Sequence, residues 1–298
     1  MQPPAPSPLS RPAEGLRCVL APNPSPMTLH GTNTYILGEG QVALIDPGPA
    51  LPAHLAAILA ALAPGERISH IFVTHAHLDH SGLARPLAEA TGAPVLAFGD
   101  ARAGRSARMA ARAIAGLAPG GEGVDATFAP DARLAHGDRV DAGGWRLEAL
   151  HTPGHFGNHL SFAWAGGTFS GDHVMGWAST LISPPDGNLA DYMRSLDRLA
   201  AARAARLFPG HGAPIESPAA RIAELATHRR TRTAQILAEL AVGPLSICEL
   251  VVRLYADTTP SLHPAARRNV LAHLIDLENN KIVAVDESGD GEPRYRRA

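Results

Sequence analysis

Four side chains that commonly bind metal ions lie within six residues of this sequence. The run His75-Ala76-His77-Leu78-Asp79-His80 directly follows a predicted buried strand at residues 68–74. Proteins of the α/β class place their functional sites at the carboxyl ends of strands. Since His75 and His77 alternate along the chain, both can point into one cavity, while Asp79 and His80 turn towards a neighbouring position. The spacing therefore favours two adjacent metal ions over one.

Further candidate ligands follow three other predicted strands. The segment His151–His155 comes after a strand at 146–150, Asp172 after one at 168–170, and His211 after one at 206–208. Histidine nitrogens combined with a carboxylate suit a borderline metal such as zinc. All four groups stand at strand ends, so the sequence predicts a metal site assembled from distant parts of the chain.

The elements that position these residues alternate between strand and helix. A hairpin is predicted at 34–45, then helices at 53–62 and 81–90 around the strand at 68–74. This alternation indicates a layered α/β domain at residues 27–225. The proline-rich residues 1–26 are expected to form an extended arm. Residues 226–298 show three helical patterns followed by a two-stranded ribbon, the pattern of a winged helix.

Composition excludes several classes of function. The 298 residues carry 26 basic and 28 acidic side chains, which excludes a global polycation built to hold nucleic acid. Residues 226–298 are also nearly balanced, with ten basic and nine acidic side chains. Two cysteines cannot form a disulfide framework or a thiolate zinc site. Without a signal peptide or membrane-spanning pattern, we expect a soluble cytoplasmic protein that has no membrane partner.

The complete pattern HxHxDH…H…D…H resembles the metallo-β-lactamase superfamily. That resemblance implies an α/β fold, an αββα sandwich, followed here by a small C-terminal winged-helix-like α+β domain. It also implies two metal sites and a residue that joins them: His75, His77 and His155 for one ion, Asp79, His80 and His211 for the other, and Asp172 as the bridge. Asp46 would orient ligands without binding metal.

A narrower resemblance covers most of the chain. The run Gly31-Thr32-Asn33-Thr34-Tyr35, the segment 183–196 and the runs beginning at His228 and Asn269 are similar to the β-lactamase-like-protein-2 group. That group couples the hydrolase domain to a winged-helix-like domain, and its mitochondrial member is an endoribonuclease that prefers single strands. Lysine-rich surfaces of the mitochondrial type are absent from this sequence, where Lys281 is the only lysine.

We expect a dinuclear hydrolase holding two Zn²⁺ per chain, with Mn²⁺ or iron as alternatives, and using a hydroxide that bridges the ions. Asp79 is the candidate catalytic residue, which both binds metal and orients the nucleophile. We expect the substrate to be a phosphodiester in single-stranded RNA, and the alternative is a small anionic thioester or ester, as in glyoxalase-II-like hydrolases. An inactive protein that binds nucleic acid or regulates a partner is the alternative of another class.

Two features are interpreted with alternatives left open. Arg102, Arg105, Arg108 and Arg112 would share one face of a helix, either as a solvated surface or as a flap that holds phosphate. Among the remaining histidines, His151 is expected to pack. His159 either supports a ligand or contacts substrate, and His228 has no assigned role.

Overall fold

The computed structural model describes residues 7–117, 123–286 and 292–298. Fifteen strands are found in this part of the chain, namely β1 (Leu9–Ala13), β2 (Leu16–Leu20), β3 (Asn33–Leu37), β4 (Gln41–Ile45), β5 (Arg67–Phe72), β6 (Val95–Ala97), β7 (Ala132–Arg133), β8 (Arg139–Ala142), β9 (Trp145–His151), β10 (Leu160–Trp164), β11 (Gly167–Gly171), β12 (Leu207–Pro209), β13 (Leu245–Ser246), β14 (Val283–Asp286) and β15 (Arg294–Arg297). The α-helices of the same ranges are α1 (Pro52–Ala60), α2 (Leu78–Ser81), α3 (Ala84–Thr91), α4 (Ala107–Ile114), α5 (Leu189–Ala202), α6 (Pro218–Leu240), α7 (Ile247–Leu254) and α8 (His263–Asn279).

Two sheets stack face to face in the larger part of the protein. The first has seven strands in the order β1 to β7, antiparallel from β1 to β4 and parallel from β4 to β7. The second has the order β12-β11-β10-β9-β8. Aromatic rings fill the space between the sheets, where Phe72 meets Phe162 with ring centroids 5.2 Å apart, and Tyr35 meets Phe169 at 5.1 Å.

Side-chain alternation explains why each sheet is covered on both faces. In β3, Ile36 points outward to helices α1 and α3, whereas Tyr35 and Leu37 point into the core between the sheets. Helices α5 and α6 cover the outer face of the second sheet, where Leu196 and Leu225 pack in one core with Leu207. The layers therefore run helix, sheet, sheet, helix, which confirms the predicted αββα sandwich.

The expected N-terminal arm is the main error of the sequence-based prediction. Residues 1–6 lie outside the described residues, but 9–20 form β1 and β2 of the first sheet. Leu16 and Cys18 of β2 are buried in the core between the sheets. Pro12 is tolerated because β1 is an edge strand and its register with β2 shifts between Ser10 and Ala13.

The arginine-rich segment also differs from its prediction. Helix α4 begins at Ala107, so Arg102 and Arg105 precede it, and the four arginines do not share one helix face. Arg105 pairs with Asp186, and Arg112 pairs with Glu278. Residues 118–122, which follow this segment, lie outside the described residues.

The C-terminal part is a small domain with its own apolar core. Helices α6, α7 and α8 pack against the sheet β13-β15-β14, around residues such as Ile236, Leu250, Leu274 and Tyr295. The predicted boundary at residue 225 falls inside α6, whose Leu225 belongs to the core of the larger domain. One continuous helix thus contributes to both cores. None of the described helices combines the length and apolarity that a membrane crossing requires.

Candidate metal centre

The loops that carry the candidate ligands meet at one edge of the sandwich. β11 and β12 are parallel, so Asp172 and His211 leave the second sheet at the same edge. The first sheet reaches this edge as well, because the Leu160 amide at the start of β10 donates to the Thr74 carbonyl at 2.8 Å. The structure therefore brings together all seven residues predicted as ligands: His75, His77, Asp79, His80, His155, Asp172 and His211.

Three imidazoles form the first group. His75 Nε2 lies 2.8 Å from His77 Nδ1, which lies 3.2 Å from His155 Nε2. Burial, and then the proximity of His155, lowers the pKa of His77 to about 3. Burial lowers the pKa of His75 and of His155 as well. Neutral imidazoles offer lone pairs, so this group is suited to a cation.

The second group combines a carboxylate with two imidazoles. Asp79 Oδ2 lies 3.3 Å from His211 Nε2 and 3.5 Å from His80 Nε2. Burial disfavours the charged form of His211, but the carboxylate of Asp172 outweighs it and raises the pKa of this imidazole to about 9. Asp79 keeps 27% of its side chain exposed and is therefore open to solvent.

Asp172 lies between the two groups. Its Oδ2 is 3.8 Å from His155 Nε2 in the first group and 3.3 Å from His211 Nε2 in the second. Its Oδ1 is 3.5 Å from His80 Nε2. Burial disfavours the Asp172 anion, yet the neighbouring His211 and His80 hold the pKa of this carboxyl well below its usual range. A single carboxylate thus faces both groups.

Two buried atoms test whether these residues fit metal ions. His80 Nε2 and Asp172 Oδ1 have no hydrogen-bond partner among the described residues. A buried polar atom without a partner costs free energy, and a cation held between these two atoms would satisfy both. Nitrogen and oxygen donors suit zinc and also accept iron or manganese. The residues present therefore fit a divalent metal centre.

Surrounding residues fix the direction of the ligands. Asp46 accepts from His80 Nδ1 at 2.9 Å, from the Thr74 amide at 2.7 Å and from the Thr74 hydroxyl at 2.8 Å. His155 Nδ1 donates to the Leu181 carbonyl at 2.7 Å, and His211 Nδ1 donates to the Gly31 carbonyl at 3.1 Å. Each contact leaves Nε2 facing the site.

Sequence reasoning expected the orienting role of Asp46 but missed the two backbone carbonyls. Leu181 O and Gly31 O are backbone atoms, which residue type does not reveal. Thr32 was also missed, and its hydroxyl donates to Asp79 Oδ2 at 3.2 Å. Thr32 belongs to the run Gly31-Thr32-Asn33-Thr34-Tyr35, and that resemblance could have drawn attention to it.

The remaining histidines lie outside the two groups of candidate ligands. His151 stacks on Phe98 with ring centroids 3.9 Å apart, in agreement with its predicted packing role. His159 is fully buried behind His75 and is paired with the Thr152 hydroxyl at 2.9 Å, which favours support of a ligand over contact with substrate. His228 is exposed on α6.

Comparison with known proteins identifies the family. Residues 27–211 match the metallo-beta-lactamase superfamily, and residues 246–291 match the beta-lactamase associated winged helix domain. The chain belongs to the metallo-β-lactamase superfamily. It is therefore a member of a superfamily composed mostly of metal-dependent hydrolases. The second match confirms the predicted winged-helix-like fold of the C-terminal domain.

Three proteins show how much of this chain is similar to other members of the superfamily. Beta-lactamase-like protein 2 homolog from Drosophila melanogaster is 35% identical over 283 residues, which are 92% of this chain and 91% of that protein. Atrochrysone carboxyl ACP thioesterase from Aspergillus fumigatus is 32% identical over 74% of this chain and 64% of its own length. A beta-lactamase domain protein from Burkholderia ambifaria, with a solved structure, is 26% identical. Its TM-score is 0.80, and the match covers 97% of this chain and 93% of that one.

Proposed function

We propose that this protein is a dinuclear metal-dependent hydrolase. The observation that carries the proposal is the position of Asp172, whose carboxylate faces both groups of ligands at 3.3–3.8 Å. In this proposal the first group, with His75, His77 and His155, holds one ion. The second group, with Asp79, His80 and His211, holds the other. Zn²⁺ is the proposed metal, and Mn²⁺ and iron fit the same donors.

The side chains of the site have distinct roles in this reaction. Divalent cations held by these residues would supply Lewis acidity to the scissile group and would lower the pKa of an attacking water. Asp79 would orient that water and accept its proton, because its carboxylate is the more exposed of the two in the site, 27% against 9% for Asp172. The Thr32 hydroxyl holds Asp79 Oδ2 in place, at 3.2 Å. Asp172 is too enclosed for that role and serves to hold both cations.

The ion pairs made by the arginines favour a thioester or ester over single-stranded RNA as the substrate. Of the four arginines expected to grip phosphate, Arg105 and Arg112 are already paired with carboxylates. In the C-terminal domain, Arg253, Arg267 and Arg294 are likewise paired with Glu239, Glu292 and Glu249. A similar protein is named as an ACP thioesterase. We therefore place a small thioester or ester first, and RNA second.

Metal analysis and parallel assays test the proposal. The Zn²⁺-loaded protein is expected to hold two ions per chain and to cleave S-lactoylglutathione or another small thioester. Asp79→Asn should lower kcat about 100-fold or more while the protein stays folded. His70→Gln, which replaces a histidine outside the groups of candidate ligands, is the matched control and should keep both ions.

Each competing interpretation has its own outcome. A single ion per chain would contradict the dinuclear site. Faster cleavage of single-stranded RNA or bis-p-nitrophenyl phosphate than of thioesters would reverse the order of substrates. Binding of RNA without turnover of any of these compounds would support the inactive binding protein instead.

A further inference from the structure

The loop between β11 and α5, residues 172–188, contains no helix or strand. It begins with Asp172, the residue that faces both groups of candidate ligands. Its backbone carbonyls must therefore find partners outside regular secondary structure. Two arginines of α6 supply them. Arg221 donates to the carbonyls of Met175 and Ala178, each at 2.8 Å, and Arg229 donates to the carbonyl of Thr180.

Thr180 connects this contact to the site. Its hydroxyl lies 2.7 Å from the carbonyl oxygen of Asp172, to which it donates. The next residue, Leu181, accepts from His155 Nδ1 at 2.7 Å. The segment 180–181 therefore holds the backbone of one candidate ligand and the ring of another.

A residue of α8 also contacts this segment. Asn269 of α8 accepts through Oδ1 from the Ile182 amide at 3.0 Å and from Arg229 at 3.3 Å. Arg229 is only 2% exposed and lies against the Tyr192 ring, with its Cζ 5.3 Å from the ring centroid. The N–H donors of a guanidinium lie in a rigid planar fork. The two acceptors, Thr180 O and Asn269 Oδ1, are therefore held in a defined position relative to each other.

We propose that Arg229 and Asn269 are positioning residues through which the C-terminal domain sets the geometry of the metal centre. Arg229 fixes the Thr180 carbonyl and Asn269 fixes the Ile182 amide. Together they place Leu181 O against His155 and the Thr180 hydroxyl against Asp172. This inference rests on the proposed metal centre but on neither of the proposed substrates.

Metal affinity tests the inference independently of turnover. In Arg229→Met the Thr180 carbonyl loses its donor, and we expect the affinity for Zn²⁺ to fall about 10- to 100-fold, as found when groups that orient metal ligands are removed. The affinity is measured by competition with a chromophoric chelator. For any substrate that is cleaved, kcat should fall more than KM rises, because the change alters the centre and not a contact with substrate.

Arg232→Met is the matched control. Arg232 lies on the same helix, donates to the Leu254 carbonyl at 2.8 Å and stacks on Tyr255 at 4.1 Å. Both of these partners lie in the C-terminal domain, so the loss of Arg232 should lower stability there and leave Zn²⁺ affinity unchanged.

A second pair of variants keeps the inference testable if Arg229→Met does not fold. Asn269→Leu removes the acceptor and should weaken Zn²⁺ binding. Asn269→Asp keeps the acceptor and should restore most of it. Folded Arg229→Met or Asn269→Leu with wild-type affinity for both ions would overturn the inference. Failure of the wild type to cleave any substrate would count against the proposed function alone, because the affinities would still be measured.

Discussion

Replacing Asp46 by asparagine should selectively weaken one of the two proposed metal sites. Asp46 has a positive φ of 52°, a region that Asn adopts as readily as Asp, so the backbone is not strained by the change. The carboxylate accepts three hydrogen bonds, from the Thr74 amide through Oδ1 and from the Thr74 hydroxyl and His80 Nδ1 through Oδ2. An amide has one acceptor oxygen and one NH₂ group, and it cannot accept all three.

Both orientations of the amide carry a cost. If the oxygen faces His80, the NH₂ group opposes the Thr74 amide, donor against donor. If the amide is reversed, His80 must release the proton on Nδ1 and carry it on Nε2, where it blocks metal binding. The loss of a group that orients a ligand typically costs 10- to 100-fold in metal affinity, about 1.4–2.7 kcal/mol.

The assay compares the two ions in one protein. Stepwise titration with a chelator should show a weakened ion at Asp79, His80 and His211. The ion at His75, His77 and His155 should change about threefold or less. Asp131→Asn is the control, because Asp131 accepts from the Val95 amide at 2.8 Å and from Arg85 at 3.1 Å but is not part of the site. Equal weakening of both ions, or none in a folded variant, would refute this account of Asp46.

Three further outcomes are expected. Asp172→Asn should lose the paired ions, leaving one ion or fewer per chain by elemental analysis, and retention of both would contradict its proposed bridging role. Burial lowers the pKa of His54 to about 4, below that of the unfolded chain, so the wild type should lose stability as pH falls from about 6.5 to 4. Urea titration should show a smaller loss in His54→Gln than in the wild type over this pH range, and the difference can reach about 3 kcal/mol. Arg105→Ala should lower the free energy of unfolding by about 2 kcal/mol more than Arg108→Ala, since only Arg105 is paired with the buried Asp186. Equal effects in thermal or urea unfolding would show that this pair does not stabilise the protein.

The clustering of the candidate ligands was predictable because they stand at or shortly after the ends of strands, and the apolar residues of those strands can be recognised in the sequence. His75 and His211 are far apart in the sequence, yet each follows a short buried strand that can be recognised from the residues next to it. The roles of individual ligands required the family resemblance, because spacing alone does not distinguish His151 from His155.

The errors have identifiable physical causes. The many prolines of residues 1–26 suggested an extended arm, but an edge strand accepts Pro12 where its register with the neighbouring strand shifts. The spacing of the arginines suggested one helix face, but Ser106 caps the helix by accepting from the Met109 amide at 3.3 Å, so residues before it are outside. The contact of Arg229 with Thr180 joins residues 49 positions apart through a backbone carbonyl, which has no sequence signal.

Because α6 is one continuous helix, its length sets the angle between the residues at its two ends. Its 23 residues span about 34 Å, and each added residue would turn everything beyond it by about 100°. An insertion between Arg221 and Arg229 would rotate one guanidinium away from the loop that both hold. An insertion of seven residues, about two turns, would nearly restore the angle, but it would displace the C-terminal core by about 10 Å. Evolution can therefore lengthen surface loops in this protein far more easily than it can change this one helix.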